Sequence, residues 1–153
     1  MTLNKTKINI KNRIYNSSLK SGNKKTGEKN LLKSLKNTQK LSYKNHIKIL
    51  TLAIKNTTPA LKMNKQKMKR RKRKAIKEIP TFLQNNSLRI NLSLKYLLIN
   101  STNRTESEPF YNKFSKEVID SAILKSSTVN QKIDFQKKIL LQKSYFFKYR
   151  WKK

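Results

Sequence analysis

Apolar residues recur at helical spacing in two neighbouring stretches of the first sixty residues. The first stretch, residues 30–39, carries Leu31, Leu32 and Leu35. The second, residues 42–56, carries Ile47, Leu50, Leu52, Ala53 and Ile54. This spacing predicts two amphipathic helices. The second helix should end near residue 57 or 58, because Pro59 disfavours helical geometry in the residue before it.

The pattern changes between Pro59 and Pro80, where Lys and Arg residues are frequent and apolar residues are few. Residues 60–63 and 75–79 roughly alternate apolar and polar positions, which predicts two strands of a projecting hairpin within about residues 59–84. The tip would be residues 69–74. A disordered basic loop or a cluster like a nuclear-localisation signal is the alternative interpretation.

Three further helices are predicted in the second half. The first has Asn85, Asn86 or Ser87 as its N-cap and apolar positions at Leu88, Leu92, Tyr96 and Leu98. The next runs over about residues 106–125, with Pro109 in its first turn. It carries a ridge at four-residue spacing, formed by Phe110, Phe114, Val118 and Ala122. We interpret this ridge as core and not as a surface on which bases stack.

The last predicted helix spans about residues 128–148, capped by Ser127 or Thr128. Its apolar face includes Ile133, Leu140 and Leu141. Aromatic residues then interleave with cations in residues 144–153. These rings could stack on unpaired bases while the cations hold phosphates, or they could pin the terminus to the core.

The first 25 residues predict a basic N-terminal extension, separate from a single helical domain over residues 26–153. A short helix could include Ile8, Ile10, Ile14 and Leu19. We expect its order to depend on an RNA partner. A cleavable targeting peptide is the competing interpretation, although the segment has one arginine, Arg13, where such peptides favour several.

The net charge of the chain indicates the chemical class of its partner. The 153 residues include 38 Lys and Arg against 7 Asp and Glu, which gives a formal net charge of +31 and a pI near 10.6. A compact chain with this self-repulsion needs a polyanion, and nucleic acid has the highest charge density available. Up to Arg104 the only acids are Glu28 and Glu78, so the first two-thirds should face the polyanion. The later acids should offset local lysines and support helix starts.

The same composition excludes several classes of function. The chain has no cysteine, and His46 is its only histidine. The scarce carboxylates form no paired catalytic site, and no nucleophile lies beside a base. We therefore predict no enzyme, no metal and no cofactor. No apolar run approaches the roughly 20 residues that span a bilayer, so membrane insertion is not expected either.

Six short motifs occur in order along the chain. The first three are Gly-Asn-Lys-Lys-Thr at 22–26, Ala-Ile-Lys-Asn-Thr-Thr-Pro at 53–59 and Ile-Pro at 79–80. The others are Lys-Tyr-Leu at 95–97, Lys-Glu-Val-Ile-Asp-Ser-Ala at 116–122 and Tyr-Arg-Trp at 149–151. In this order they resemble motifs of the family of small-subunit ribosomal protein number seven. The resemblance covers about residues 15–151, although this chain lacks the family's paired glycines at the hairpin tip.

The resemblance implies a mainly α protein, a bundle-like helical domain with a protruding basic β-hairpin arm and an extended basic N-terminus. It implies a structural constituent of the small ribosomal subunit that binds ribosomal RNA of the head, helps nucleate head assembly, and lies near the messenger and exit-site tRNA path. Head and platform proteins would be its neighbours. The RNA-binding residues would be Lys24, Lys25, Lys62, Lys65, Lys67, Lys69, Arg70, Arg71, Lys72, Arg73, Lys74, Lys77, Arg89, Lys95 and Arg150.

Two questions stay open at this point. Charge alone does not separate RNA from DNA, so a general basic DNA- or RNA-binding protein is the alternative function. The abundance of Lys, Asn and Ile is what AT-rich codons encode. Together with the family resemblance, this bias favours a mitochondrial ribosome, with a plastid or the cytoplasm of an AT-rich bacterium as alternatives.

Overall fold

A computed structural model describes residues 3–19, 22–70 and 73–141 of the chain. These residues form six helices and one antiparallel hairpin between the third and fourth helices. The helices are α1 Leu3–Ser18, α2 Lys24–Ser42, α3 His46–Thr57, α4 Asn86–Asn103, α5 Phe110–Ala122 and α6 Ser127–Leu141. The strands are β1 Leu61–Arg70 and β2 Arg73–Phe82. The predicted fold class, a mainly helical domain with a hairpin arm, is confirmed.

Helix α5 is the centre of the domain, since it packs against α2, α3, α4 and α6. The aromatic and aliphatic ridge predicted from the sequence is the face that does so. Phe114 and Val118 are buried, and the Phe110 and Phe114 rings lie stacked with their centroids 5.9 Å apart. Around them lie buried residues of α1 to α4, namely Ile14, Leu31, Ile49, Leu50, Ala53, Ile54, Leu94 and Leu97. The ridge is therefore core, as predicted.

The boundary between α2 and α3 differs from the prediction. Helix α2 continues to Ser42, beyond the predicted end, and α3 begins only at His46. Tyr43 takes the left-handed conformation with φ of 53° and ends α2 without a glycine. Asn45 then caps α3, because its side chain accepts a hydrogen bond from the Ile47 N–H. The predicted end of α3 before Pro59 is confirmed at Thr57.

Two other helix boundaries show which local signals were reliable. Asn85, one of three predicted caps, is the N-cap of α4, and its side chain accepts from the Ser87 N–H. Helix α5 is shorter than predicted, because it begins at Phe110 with Pro109 as N-cap and ends at Ala122. The acids before Pro109 belong instead to the connection from α4.

The apolar face predicted for α6 was wrong at all three residues named for it. Ile133, Leu140 and Leu141 are exposed, whereas Val129 and Ile139 are buried. In α4, likewise, Leu88 is exposed, and the buried residues are Ser93, Leu94, Leu97 and Ser101. Both helices carry aliphatic residues on more than one face. The neighbouring elements decide which of these faces is buried, and the periodicity of a single helix does not contain that information.

The predicted N-terminal extension is helical where it is described. Ile14 of α1 is 1% exposed and belongs to the core, and Arg13 donates from a guanidinium nitrogen to the Ser87 carbonyl at 3.4 Å. Helix α1 therefore packs on the domain that begins, by the predicted division, at residue 26. That the order of this segment depends on RNA stays a prediction.

Replacing Phe114 with Ala tests the core assignment. Phe114 is 2% exposed, so its loss should lower the free energy of unfolding by about 3–5 kcal/mol. Thermal or urea unfolding of the purified chain measures this change. Tyr43→Ala is the matched control, because Tyr43 is 95% exposed and its removal should leave the transition nearly unchanged. Equal transitions for the two variants would contradict the assignment.

Candidate nucleic-acid interface

The hairpin concentrates positive charge at its tip. The register places Lys69 opposite Lys74 and Arg70 opposite Arg73. Like charges directly opposite on two strands are destabilising. Each strand has ten residues, which corresponds to a length of roughly 30 Å. An arm of this length with like-charged pairs at its end would be stabilised by a bound polyanion.

Hydrogen bonds between its two sides close the base of the hairpin. Ile79 and Pro80 are buried there. The Leu83 N–H donates to the Ala60 carbonyl at 3.0 Å, and the Thr81 hydroxyl donates to the Lys62 carbonyl at 3.1 Å. The two sides of the hairpin are thus joined where the strands leave the helical domain.

Two cations from distant helices also secure this base. Arg89 of α4 donates from Nε to the Pro59 carbonyl at 3.1 Å, and Lys132 of α6 donates from Nζ to the Asn56 carbonyl at 2.7 Å. Burial lowers the pKa of Lys132, and the positive charge of Arg89 lowers it further. Arg89, predicted to contact RNA, therefore has a structural contact within the protein, and its contact with RNA stays a prediction.

Lys62 and Lys95 lie together although they are far apart in the sequence. Both line a shallow depression of about 240 Å³ between the hairpin base and α4, together with Leu83, Leu88, Asn91 and Leu92. Both lysines are exposed. Two ammonium groups beside one depression form a suitable place for a phosphate of a nucleic-acid backbone.

Lys24 and Lys25 occupy the first turn of α2. Gly22 makes the preceding turn with φ of +72°, a conformation that favours glycine. The Tyr15 hydroxyl donates to the Lys24 carbonyl at 3.3 Å and so ties this turn to α1. Both lysines are exposed. The helix N-terminus adds its own partial positive charge, so side chains and backbone favour an anion at the same place.

The remaining predicted RNA-binding residues fall into two groups. Those on the strands of the hairpin are Lys65, Lys67, Lys69, Arg70, Arg73, Lys74 and Lys77. Arg71, Lys72 and Arg150 lie outside the described residues, as do the aromatic residues 145–151. The structure therefore brings Lys62 and Lys95 together, places most other cations along one arm, and leaves Lys24 and Lys25 on a separate helix end.

Four of the five acids that follow Arg104 pair with cations of the same chain. Arg104 donates from Nε and Nη2 to one oxygen of Glu117, at 2.9 and 2.7 Å, and also pairs with Asp120. Burial by itself lowers the pKa of Arg104, but the hydrogen bonds and charges of Asp120 and Glu117 outweigh it and leave that pKa raised. The other Glu117 oxygen accepts from the Thr128 hydroxyl at 2.6 Å, at the start of α6.

Lys116 holds two further acids, Glu106 at 2.8 Å and Glu108 at 2.7 Å. The hydrogen bond from Lys116 is the main reason that the pKa of Glu106 lies below its ordinary value of 4.5. The expectation that the later acids offset local lysines and support helix starts is confirmed at Lys116 and at the N-terminus of α6. These acids thus offset the positive charges of Arg104 and Lys116.

The pKa of Glu106 can be tested directly. In Lys116→Met the hydrogen-bonding ammonium is removed, so the Glu106 carboxyl should titrate at a higher pH, closer to 4.5. The chemical shift of the Glu106 carboxyl carbon, followed by NMR as a function of pH, measures the titration midpoint in the unmodified chain and in the variant. Lys125→Met, at an exposed lysine in the α5–α6 connection, is the control and should leave the midpoint in place. Identical midpoints in all three proteins would show that Lys116 does not hold Glu106.

Sequence reasoning missed two residues that organise this region. Glu117 is fully buried on the face of α5 that also carries Phe114 and Val118, and an acid at such a position is a signal of a buried ion pair. Lys132 gave no comparable signal. Its partner Asn56 lies 76 residues away, so only the tertiary structure joins them.

The described part of the chain also bears on two excluded classes of function. Within it, no group of three or more His, Cys, Asp or Glu residues is placed to hold a metal ion. Among its helices, none combines the length and the apolar composition that crossing a membrane requires.

Comparison with known proteins supports the family resemblance that the sequence motifs indicated. Residues 2–139 match the family described as ribosomal protein S7p/S5e. The chain is also 27% identical, over 143 residues, to the small ribosomal subunit protein uS7m of Reclinomonas americana. The matched residues make up 94% of this chain and 86% of that protein. The chain therefore belongs to the ribosomal protein S7p/S5e family, whose members are structural proteins and not enzymes.

Proposed function

We propose that this chain is a constituent of the small subunit of a mitochondrial ribosome. There it binds ribosomal RNA of the head, helps to nucleate head assembly, and lies near the messenger and exit-site tRNA path. Family membership and the similarity to uS7m, a mitochondrial small-subunit protein, support the particle. The observation that supports RNA binding most is the segregation of charge, with four acids paired around α5 and a run of cations along the hairpin.

The mechanism follows from this segregation. Lys62 and Lys95 at the hairpin base, the arm itself, and Lys24 at the start of α2 belong to separate parts of one domain. Each can neutralise phosphates of a different RNA segment. A domain that holds several such segments at once reduces the repulsion between them, which is the physical requirement for folding an RNA head. No bond is made or broken.

Sedimentation tests the proposed particle. Native extract is separated on a density gradient, and the fractions that contain the chain are identified with an antibody. We expect co-migration with the small ribosomal subunit, with release only at high salt, because phosphate contacts weaken steeply as salt rises. Migration with DNA, or as free protein at low salt, would contradict the proposal and favour the general nucleic-acid-binding alternative.

RNA contacts are tested at residue level by crosslinking within purified subunits. A photoreactive residue at Lys62 or Lys95 should crosslink to head ribosomal RNA. The same probe at Asp134, an exposed acid on α6, is the control. Equal crosslinking from Asp134 would show that proximity to RNA is not confined to the proposed surface.

A further inference from the structure

An apolar groove lies between α1, α2 and α3, away from the hairpin. Its volume is about 930 Å³, within the range of ligand-binding clefts. Buried residues Ile14, Leu31 and Leu50 form part of its lining. Leu32, 49% exposed, and Ile47, 36% exposed, also line it and present aliphatic surface to solvent.

Positive charge surrounds this apolar lining. Lys29, Lys33 and Lys36 line the groove from α2, and no carboxylate does so among the described residues. Lys33 also lies over the Tyr111 ring, 5.3 Å from its centroid. The spacing of these lysines along α2 places them on one side of the helix together with Leu32. An occupant must therefore present both apolar side chains and negative charge.

Three occupants fit this requirement poorly. A second copy of the chain carries +31, and four of its seven acids, Glu106, Glu108, Glu117 and Asp120, are paired with its own cations. Residues 142–153 of the same chain are basic and contain no acid. RNA could meet the lysines, but unpaired bases stack on aromatic or arginine side chains, and the groove is lined by aliphatic ones.

We propose that the groove binds an amphipathic helix of a neighbouring protein. The apolar face of that helix lies between α2 and α3, with Leu32 and Ile47 at its edges. Its Asp and Glu residues pair with Lys29 and Lys36. Docking of an amphipathic helix into an apolar groove is a common mode of peptide recognition, in which apolar anchors give affinity and flanking charges give orientation.

This proposal rests on the proposed function in one respect: the partner protein would belong to the same small ribosomal subunit as this chain. The test therefore uses whatever particle is purified through a tag on this chain. A photoreactive phenylalanine derivative replaces Leu32 in one variant. In the control it replaces Leu52, which is 47% exposed on α3 but does not line the groove. The gradient experiment identifies the particle independently of this crosslink.

We expect position 32 to crosslink to one protein segment in which acidic residues flank an apolar helical pattern, and position 52 not to reach that segment. A crosslink to RNA, to residues 142–153 or to a second copy would overturn the proposal. So would the absence of any crosslink at position 32, or the same segment crosslinked from both positions.

Binding of that segment as a synthetic peptide to the full-length chain then tests the chemistry. Lys36→Glu should weaken binding by about tenfold or more, equivalent to about 1.4 kcal/mol. A peptide in which the paired acid is replaced by Lys should restore binding to this variant. Leu52→Asp is the control and should bind normally. A Lys36→Glu variant that keeps full affinity, or is not rescued by the reversed peptide, would overturn the pairing.

Discussion

Replacing Arg70, Arg71 and Arg73 together with Ala should weaken binding to ribosomal RNA on the order of 10²-fold at about 0.1 M salt. Each phosphate contact releases condensed counterions, so three lost contacts should also reduce the slope of log K against log salt by about 2–3. The register explains why the effect should be large. Arg70 lies opposite Arg73 at the end of both strands, so contacts from these two residues would fall at one place on a bound RNA.

The measurement is a salt titration of binding to a head fragment of ribosomal RNA. The matched control removes the same charge elsewhere, with Lys125, Lys137 and Lys138 replaced by Ala, all of which are exposed and distant from the arm in sequence. We expect a clearly smaller change in slope for the control. If both triple variants lower the slope equally, binding follows net charge alone, and the arm has no special role.

Replacing Glu117 with Ala should destabilise the fold by about 3–5 kcal/mol, the usual cost of breaking a buried ion pair by removing one partner. Glu117 is 1% exposed at its side chain and Arg104 19% exposed, so Arg104 would lose a partner that water only partly replaces. The Thr128 hydroxyl, 2.6 Å from the carboxylate, would lose its acceptor at the start of α6 as well.

Urea unfolding at high salt, which screens the self-repulsion of the chain, measures this effect. Glu106→Ala is the matched control, because that carboxylate is exposed and also lies near Arg104. It should leave the unfolding midpoint nearly unchanged. A Glu117 variant as stable as the Glu106 variant would mean that Asp120 alone satisfies Arg104, and that Glu117 does not link α5 to α6.

Local signals in the sequence predicted most elements of the fold. Pro59 predicted the end of α3, the alternation on either side of the cationic run predicted the hairpin, and the spacing of Phe110, Phe114 and Val118 predicted the central helix. These features depend on backbone sterics and on the period of one element, which neighbouring residues determine. The left-handed Tyr43 between α2 and α3 gave no such signal, because it is not a glycine.

The buried faces of α4 and α6 could not be predicted in the same way. Leu88 and Leu140 are as apolar as Leu94 and Ile139, yet only the second pair is buried. For the candidate site, composition and motif resemblance indicated which cations to expect on the arm. They did not indicate that Lys62 and Lys95 share a depression, that Arg89 and Lys132 secure the hairpin base, or that a lysine-lined groove lies across α1, α2 and α3.

The sequence by itself determined the charge of this protein, its lack of cysteine, the type and order of its elements, and its resemblance to a family. These properties reside in the identity and short-range spacing of residues. Only the tertiary structure decided which apolar faces are buried, which acids pair with which cations, and which distant cations lie close together. Those outcomes depend on contacts between residues tens of positions apart, and such contacts form only when the helices pack.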